Sequence, residues 1–413
     1  MRVKIFYEGE TAAYGVGPAT SATTLAKATT GEAGSTQNFT RGGASPFVAR
    51  SGNQLQETAK PRKNVSTPSK FNQLKLSGPK ANIDLPLLIT GIAGVAGYNA
   101  LDYFRSRYPG QVVGVRQCDN FRLAGEGIVA CDAEDGDGLK RLFDEYRFRS
   151  VLDCAGNCAL RACELDPTLA WRINVEGVEN LLAAIGSADV RLVHLSIDLV
   201  FSGRGQGGHR EEDPTDPVTV YGKTMVAAEQ ILLAQAPWSC ILRISLPMGV
   251  SFNGHAGAID WIQSRFKKSR PATLYFDEFR TPTYTDCLNE LCESMLGNRL
   301  QGLFHAGGPR ALSLYQIAQI VNRVGGYDPD HLMGCLRAAA GPIPPRAGNV
   351  SMDSGKLAAA LGYQPFDPWP YDDALVPTHH GWHREHTAGW RGSPEYLADV
   401  LYRNPLRRRN EVA

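Results

Sequence analysis

The sequence predicts an α/β fold: a Rossmann-type doubly wound parallel sheet, a smaller C-terminal substrate lobe and a disordered N-terminal tail. Three observations carry that expectation. From about residue 86 onward, short apolar runs alternate with helix-period stretches, the pattern of a buried parallel sheet covered by helices on both faces. A glycine-rich turn, "TGIAGVAG", follows the first apolar run directly, as the phosphate turn of such sheets does. Residues 1–82 show neither period and are rich in Ser, Thr, Gly and Ala.

The tail comes first. A stretch such as "ATSATTLAKATTGEAGSTQNFTRGGASPF" holds too little apolar surface to offset the entropy of ordering it. Residues 1–82 are therefore expected to be disordered and dispensable for folding. Their opening, "MRVKIFYEGE", is strand-like and carries glutamates, unlike an acid-poor transit peptide, and a cytoplasmic location is expected. The expected strands are "LPLLIT", "QVVGVR", "GIVACD", "SVLDCAG", "VRLVHLS", "CILRIS" and "GLFHAGG". Stretches such as "YNALDYFRSRY", "LKRLFDEYRF" and "RINVEGVENLLAAIG" supply helices between them. This organisation predicts a dinucleotide-binding domain over 83–250. After about residue 250 the alternation loosens. Helical patterns near 258–268, 286–296 and 313–323, with a Pro/Gly-rich "GPIPPRAGN", predict a substrate lobe over 251–370. A strand near 303–306 should return to the main sheet, and 371–413 form a C-terminal extension.

Composition excludes several function classes. Lys+Arg 43 against Asp+Glu 42 leaves a formal charge of +1, so no global field favours nucleic acid or an anionic membrane. No apolar run reaches the length of a membrane span. Nine cysteines without a CxxC pair read as thiols in a reducing compartment, not as disulfides or a metal site. The cluster His379, His380, His383 and His386 places imidazoles at i, i+4 and i, i+3, but no acid stands between His379 and His383 as in HExxH. A solvated or packing role is expected there, and no metal site.

The glycine turn is the candidate cofactor site. Gly91 permits the tight turn, Gly94 lets backbone amides approach a pyrophosphate, and Gly97 allows helix and strand to pack closely. Ala93 and Val95 belong to the same turn, and the helix N-terminus that follows favours phosphate. Arg116 ends the second strand, where an acid would bind the ribose of NAD; an arginine there favours the 2′-phosphate, so NADP is expected, with NAD the alternative. Asp132, after the third strand, is placed to accept from the adenine amine. Ala155, Gly156, Asn174 and Tyr221 complete the expected contact set.

Further segments carry a family resemblance. They are "DCAGNCALRACELDPTLAWRINVEGVENLL", "LSIDLVFSG", "REEDPTDPVTVYGKTM", "ILRIS", "FRTPTYTDCLNEL" and "GPIPPRAGNVSMDSGKL". With the glycine turn, and in this order and spacing, they resemble the extended short-chain dehydrogenase/reductases from about residue 86 to 365. The likeness is strongest to the dTDP-4-dehydrorhamnose reductase group, which includes the regulatory beta subunit of methionine adenosyltransferase. The resemblance implies a Rossmann lobe plus a lobe for a nucleoside diphosphate sugar, and hydride transfer from NADPH to a sugar 4-ketone. In that family a tyrosine donates the proton. A lysine one turn later lowers the tyrosine pKa and holds the nicotinamide ribose, and a Ser or Thr on the preceding strand bonds the carbonyl oxygen.

Tyr221 occupies the tyrosine position, but Met225 stands at the lysine and Ile197 at the hydroxyl residue. Lys223, at i+2, points to nearly the opposite side of the helix. Ser196 faces away from the site unless the strand bulges or ends early, and Thr224, at i+3, is placed to support Tyr221. Without an adjacent ammonium, Tyr221 is expected to titrate near about 10. Arg243, Arg280 and Arg346 are the candidates to face a diphosphate, with pairing to carboxylates the alternative for Arg243. Two functions stay open: a sugar-nucleotide reductase, or a catalytically inactive NADP-binding regulatory or sensor subunit with a protein partner.

Overall fold

The computed structural model describes residues 81–254, 257–385 and 392–404; the expected tail up to residue 80, and His386, lie outside them. The chain runs β1 (Leu87–Ile89), α1 (Val95–Arg107), β2 (Val112–Arg116), β3 (Ile128–Ala130), α2 (Gly136–Tyr146) and β4 (Ser150–Asp153). It continues with α3 (Leu160–Leu165), α4 (Pro167–Trp171), a π-helical turn (Arg172–Glu176), α5 (Gly177–Ile185), β5 (Arg191–Ile197), α6 (Val220–Gln235) and β6 (Cys240–Ile244). Beyond these lie β7 (Pro247–Met248), α7 (Ala258–Lys267), β8 (Ala272–Tyr275), β9 (Phe279–Arg280), β10 (Thr283–Tyr284) and α8 (Thr285–Leu296). The last elements are β11 (Gly302–Ala306), β12 (Leu312–Ser313), α9 (Leu314–Val324), β13 (Leu332–Cys335), α10 (Gly355–Leu361) and α11 (Pro394–Leu401).

Seven strands form one parallel sheet in the order β11-β6-β5-β4-β1-β2-β3, as the alternation of apolar runs predicts. The strand order reverses between β1 and β4, the place where ligands meet sheets of this kind. Strand alternation sends successive residues to opposite faces. Leu87, Ile89, Leu152, Val193 and Leu242 belong to a core with Leu101 and Phe104 of α1 and Leu288 and Leu291 of α8. Leu88, Val113, Val151, Leu192 and Ile241 belong to a second core with Phe143 of α2, Leu181 of α5 and Leu232 of α6. Each strand therefore supplies both cores, which is why its sequence reads as a continuous apolar run. Three two-stranded ladders, β10-β7, β12-β9 and β13-β8, lie outside the main sheet. No helix among the described residues is long and apolar enough to cross a membrane.

Local signals start several helices. Asp135 caps α2 by accepting from the Gly138 amide at 2.8 Å. Ser313 and Gln316 form a reciprocal capping box at the start of α9. Across the first core, Tyr103, Arg107 and Tyr108 of α1 and its end all donate to Glu293 of α8, at 2.5, 2.8 and 2.5 Å.

β11 sits beside β6, and His305 on it is fully buried. Its Nδ1 donates to the His209 carbonyl at 2.9 Å, and its Nε2 faces the Arg243 guanidinium at 3.3 Å. Burial, with Arg243 alongside, pushes its pKa down to about 4. The folded chain thus refuses a proton that the unfolded chain accepts below about pH 6.5. Stability from this group is complete above that pH and falls as pH drops toward 4. Urea unfolding of the native protein should lose up to about 3 kcal/mol more over this interval than a His305→Gln variant.

Candidate active site

The first βα turn is built around close backbone contact. Gly91 has φ +62°, and a Cβ there would lie 2.2 Å from the Cys154 carbonyl oxygen. A Cβ on Gly97 would lie 2.4 Å from the Gly91 carbonyl oxygen, whereas one on Gly94 would meet nothing nearer than 3.5 Å. The first two glycines named let the turn pass β4 and α1, and Gly94 leaves the turn open. No side chain caps α1 at Gly94, and its first turn holds no acid, so this helix end is chemically suited to an anion.

Thr90 ties this turn to β4. Its hydroxyl donates to Asp153 at 2.5 Å and accepts from the Cys154 and Ala155 amides at 3.1 and 3.2 Å. Asp153 also meets His194 Nδ1 at 2.7 Å. Burial raises the Asp153 pKa, but the His194 and Thr90 contacts outweigh it and hold the carboxyl below its usual range. At the exit of β2, Arg116 folds one guanidinium nitrogen onto the Gln117 and Cys118 carbonyls at 2.8 and 3.2 Å, and its buried Nε has no hydrogen-bond partner among the described residues. Asp132 accepts the Cys118 amide through one oxygen at 2.9 Å. Asn174, in the π-helical turn, accepts from the Asn157 amide at 2.6 Å and donates to Thr224 at 2.8 Å. It thereby clamps the loop carrying Ala155 and Gly156 to α6.

α6 begins where Thr219 accepts from the Gly222 amide at 2.9 Å. Gly222 admits the Leu199 carbonyl, which a Cβ would approach to 2.2 Å. Tyr221 is buried at this end, and its hydroxyl has no hydrogen bond among the described residues. Ile197 and Met225 belong to the same apolar cluster as Tyr221. The phenol does not titrate near its ordinary value. Burial pushes it well above, Cys158, Asp198 and Cys163 add to the rise, and Arg280 offsets part of it. The expectation from sequence took account of the missing lysine but not of burial.

The two hydroxyls considered as helpers have other partners. β5 runs to Ile197 without a bulge, pairing Ser196 with Arg243, and Ser196 donates to Glu229 at 2.5 Å. Thr224 donates to the main-chain carbonyl of Tyr221 at 2.8 Å, one turn back, and not to the phenol.

The three arginines considered for a diphosphate are each paired with a carboxylate. Arg243 makes two bonds to Glu229, at 2.9 and 2.7 Å. Arg280 grips both oxygens of Asp198, with its Nε at 2.6 Å. Arg346 meets Glu278 at 2.8 Å and lies over the Tyr275 ring at 4.7 Å. Arg243 and Arg280 are buried, while 15% of the Arg346 side chain is exposed, so Arg346 alone of the three retains access to solvent. The acids that capture Arg280 and Arg346 lie on distant segments and carry no local sequence signal. The same holds for Thr90, Asp153 and His194.

Residues 85–375, more than half of the chain, match the family model described as the RmlD substrate binding domain. The chain belongs to the RmlD family. Within it, the chain is 26% identical over 270 residues to a dTDP-4-dehydrorhamnose reductase of Mycolicibacterium smegmatis, covering 63% of this chain and 80% of that protein. It is 22% identical over 311 residues to methionine adenosyltransferase 2 subunit beta of Danio rerio, covering 74% and 93%. The solved dTDP-4-dehydrorhamnose reductase of Bacillus anthracis, in complex with NADP, shares the fold with a TM-score of 0.60 at 19% identity. That likeness covers 68% of this chain and 94% of that one.

In this RmlD family member the Asp198–Arg280 pair joins β9 to the residues leaving β5. Asp198→Ala would strand a buried guanidinium, and the unfolding free energy in urea should fall by about 3–5 kcal/mol. Adding Arg280→Met to that variant should restore much of the loss, because the uncompensated charge is then gone.

Proposed function

We propose that the protein is an NADP(H)-binding reductase of the RmlD type that engages a nucleoside diphosphate sugar, with 251–370 as its sugar-nucleotide lobe and Tyr221 as its proton donor. The observation that carries this reading is the open start of α1 at the sheet's switch point together with a tyrosine whose hydroxyl has no hydrogen bond among the described residues. The residues fit the cofactor. The amides framed by Gly91, Ala93, Gly94, Val95 and Gly97 suit its pyrophosphate. Arg116, with its unpartnered buried Nε, suits the 2′-phosphate, and Asp132 keeps one oxygen for the adenine amine. Ala155 and Gly156, on a loop that Asn174 holds in place, would extend the contact to the cofactor.

When bound, the reduced nicotinamide supplies a hydride to the 4-ketone. Tyr221 gives its proton to the oxygen that becomes an alkoxide. The resulting tyrosinate finds no ammonium at Met225, and neither Ile197 nor Ser196 offers the carbonyl oxygen a donor. Each missing group typically costs about 10²–10⁴ in rate, so turnover is expected to be slow. Arg346 is the basic residue best placed for the diphosphate. The apolar residues at the lysine and hydroxyl positions, Met225 and Ile197, also favour a second reading, a regulatory or sensor subunit that binds NADP(H) without turnover, which the likeness to a methionine adenosyltransferase subunit beta supports.

Calorimetry should find NADPH binding tighter than NADH. Arg116→Ala should weaken NADPH by roughly tenfold or more, the usual effect of losing a charge-assisted hydrogen bond, and leave NADH nearly unchanged. Equal affinities in the native protein would remove the 2′-phosphate assignment.

With dTDP-4-dehydrorhamnose, NADPH oxidation should be slow, lost in Tyr221→Phe, and raised by Met225→Lys with Ile197→Thr. Binding of NADPH with no oxidation in the native protein would establish the regulatory reading instead. Oxidation that survives Tyr221→Phe would remove Tyr221 from the chemistry.

A further inference from the structure

A cavity lies outside the candidate active site. Its outer wall belongs to residues 377–380, beyond the family match, which ends at residue 375. Side chains of α9 fix that wall. Gln319 donates to the His379 and His380 carbonyls at 3.0 Å each, Tyr315 Oη donates to the His380 carbonyl at 3.0 Å, and Arg323 reaches the Trp382 carbonyl at 3.2 Å. The His380 ring stacks on Phe276 with centroids 4.3 Å apart. The result is a preformed cavity of about 600 Å³, within the range of small-molecule sites.

Phe279 forms part of the inner wall. It and Arg280 are successive residues of β9, so they face opposite sides. Arg280 reaches Asp198, beside Tyr221, and Phe279 therefore opens this cavity on the far side of the strand. Across the ladder, Phe279 pairs with Ser313, the cap of α9. The two sites lie back to back across the β9–β12 ladder.

The lining fixes the ligand class. Phe276, Phe279 and Tyr315 present ring surface, His379 and His380 add imidazoles, Ser313, Gln316 and Thr378 carry hydroxyl and amide groups, and no lysine, arginine or carboxylate lines the cavity. Aromatic walls favour a planar ring by stacking, polar groups satisfy ring nitrogens and oxygens, and without a lysine or arginine the lining offers no fixed positive charge to a phosphate or carboxylate. We propose that this cavity is a second binding site, one that takes an uncharged planar heteroaromatic compound of nucleoside size.

The test uses adenosine as the probe and the full chain saturated with NADPH and dTDP, so that the dinucleotide and sugar-nucleotide sites are filled. Calorimetry should show one adenosine bound with a Kd of about 10⁻⁴ M, the scale set by ligand efficiency for a molecule of this size. Thr378→Trp, at an exposed position, should fill the cavity and weaken adenosine at least tenfold, with NADPH affinity and melting temperature unchanged. Phe279→Leu, which keeps β9 apolar but removes the ring, should weaken adenosine several-fold. Absence of adenosine binding to the saturated protein, or equal binding by the native chain and both variants, would overturn the site. Neither result depends on whether the protein turns over a sugar nucleotide.

Discussion

The buried pair of Asp198 and Arg280 organises the candidate active site. Asp198 leaves β5 fully buried and also accepts from Ser245 at 2.5 Å, and Ser245 in turn accepts the Thr281 amide at 3.0 Å. One carboxylate thus holds the end of β5, the exit of β6 and β9 together. A charge so placed is tolerable only while its partner stays, so the position of β9 is tied to the edge of the main sheet. The same pair sets the electrostatics around Tyr221. The carboxylate makes ionisation of the phenol harder, the guanidinium makes it easier, and because the two are locked together the net help to a tyrosinate is small.

That arrangement differs in kind from one built on a lysine. An ammonium on the tyrosine's own helix stabilises tyrosinate and has no second partner to neutralise it. Met225 gives packing in its place. Tyr221 and Ile197 both belong to the first buried core, and burial becomes the largest influence on the Tyr221 proton. Such a tyrosine keeps its proton firmly. Backbone geometry and side-chain chemistry are therefore separable here: the turn around Gly91, Gly94 and Gly97 is backbone geometry, whereas the positions that the family resemblance assigns to proton delivery beside Tyr221 hold the apolar Met225 and Ile197.

The fold was legible in the sequence because its signals are local and repeated. Seven apolar runs became the seven strands of one sheet, each run recording burial on both faces. The turn at Gly91 and Gly97 was legible too, since only glycine fits where a Cβ would strike a neighbouring carbonyl. The departures at Met225 and Ile197 could be read from spacing along one helix and one strand. The partners of Ser196, Arg280 and Arg346 could not. Glu229 lies 33 residues from Ser196, and Asp198 lies 82 from Arg280, and nothing in either local pattern specifies the pairing.

The sequence by itself determined the strand and helix periods, the glycine turn, the family and the loss of a lysine beside Tyr221, because each is a property of residues near one another in the chain. Tertiary structure alone decided which arginines remain available to a ligand, how strongly Tyr221 holds its proton, and that the C-terminal segment after residue 375 walls a cavity with α9. Ion pairing and burial act through space between segments that periodicity places only approximately, and their strength depends on distances of a few ångströms and on excluded water. Those quantities exist only once the chain has closed on itself.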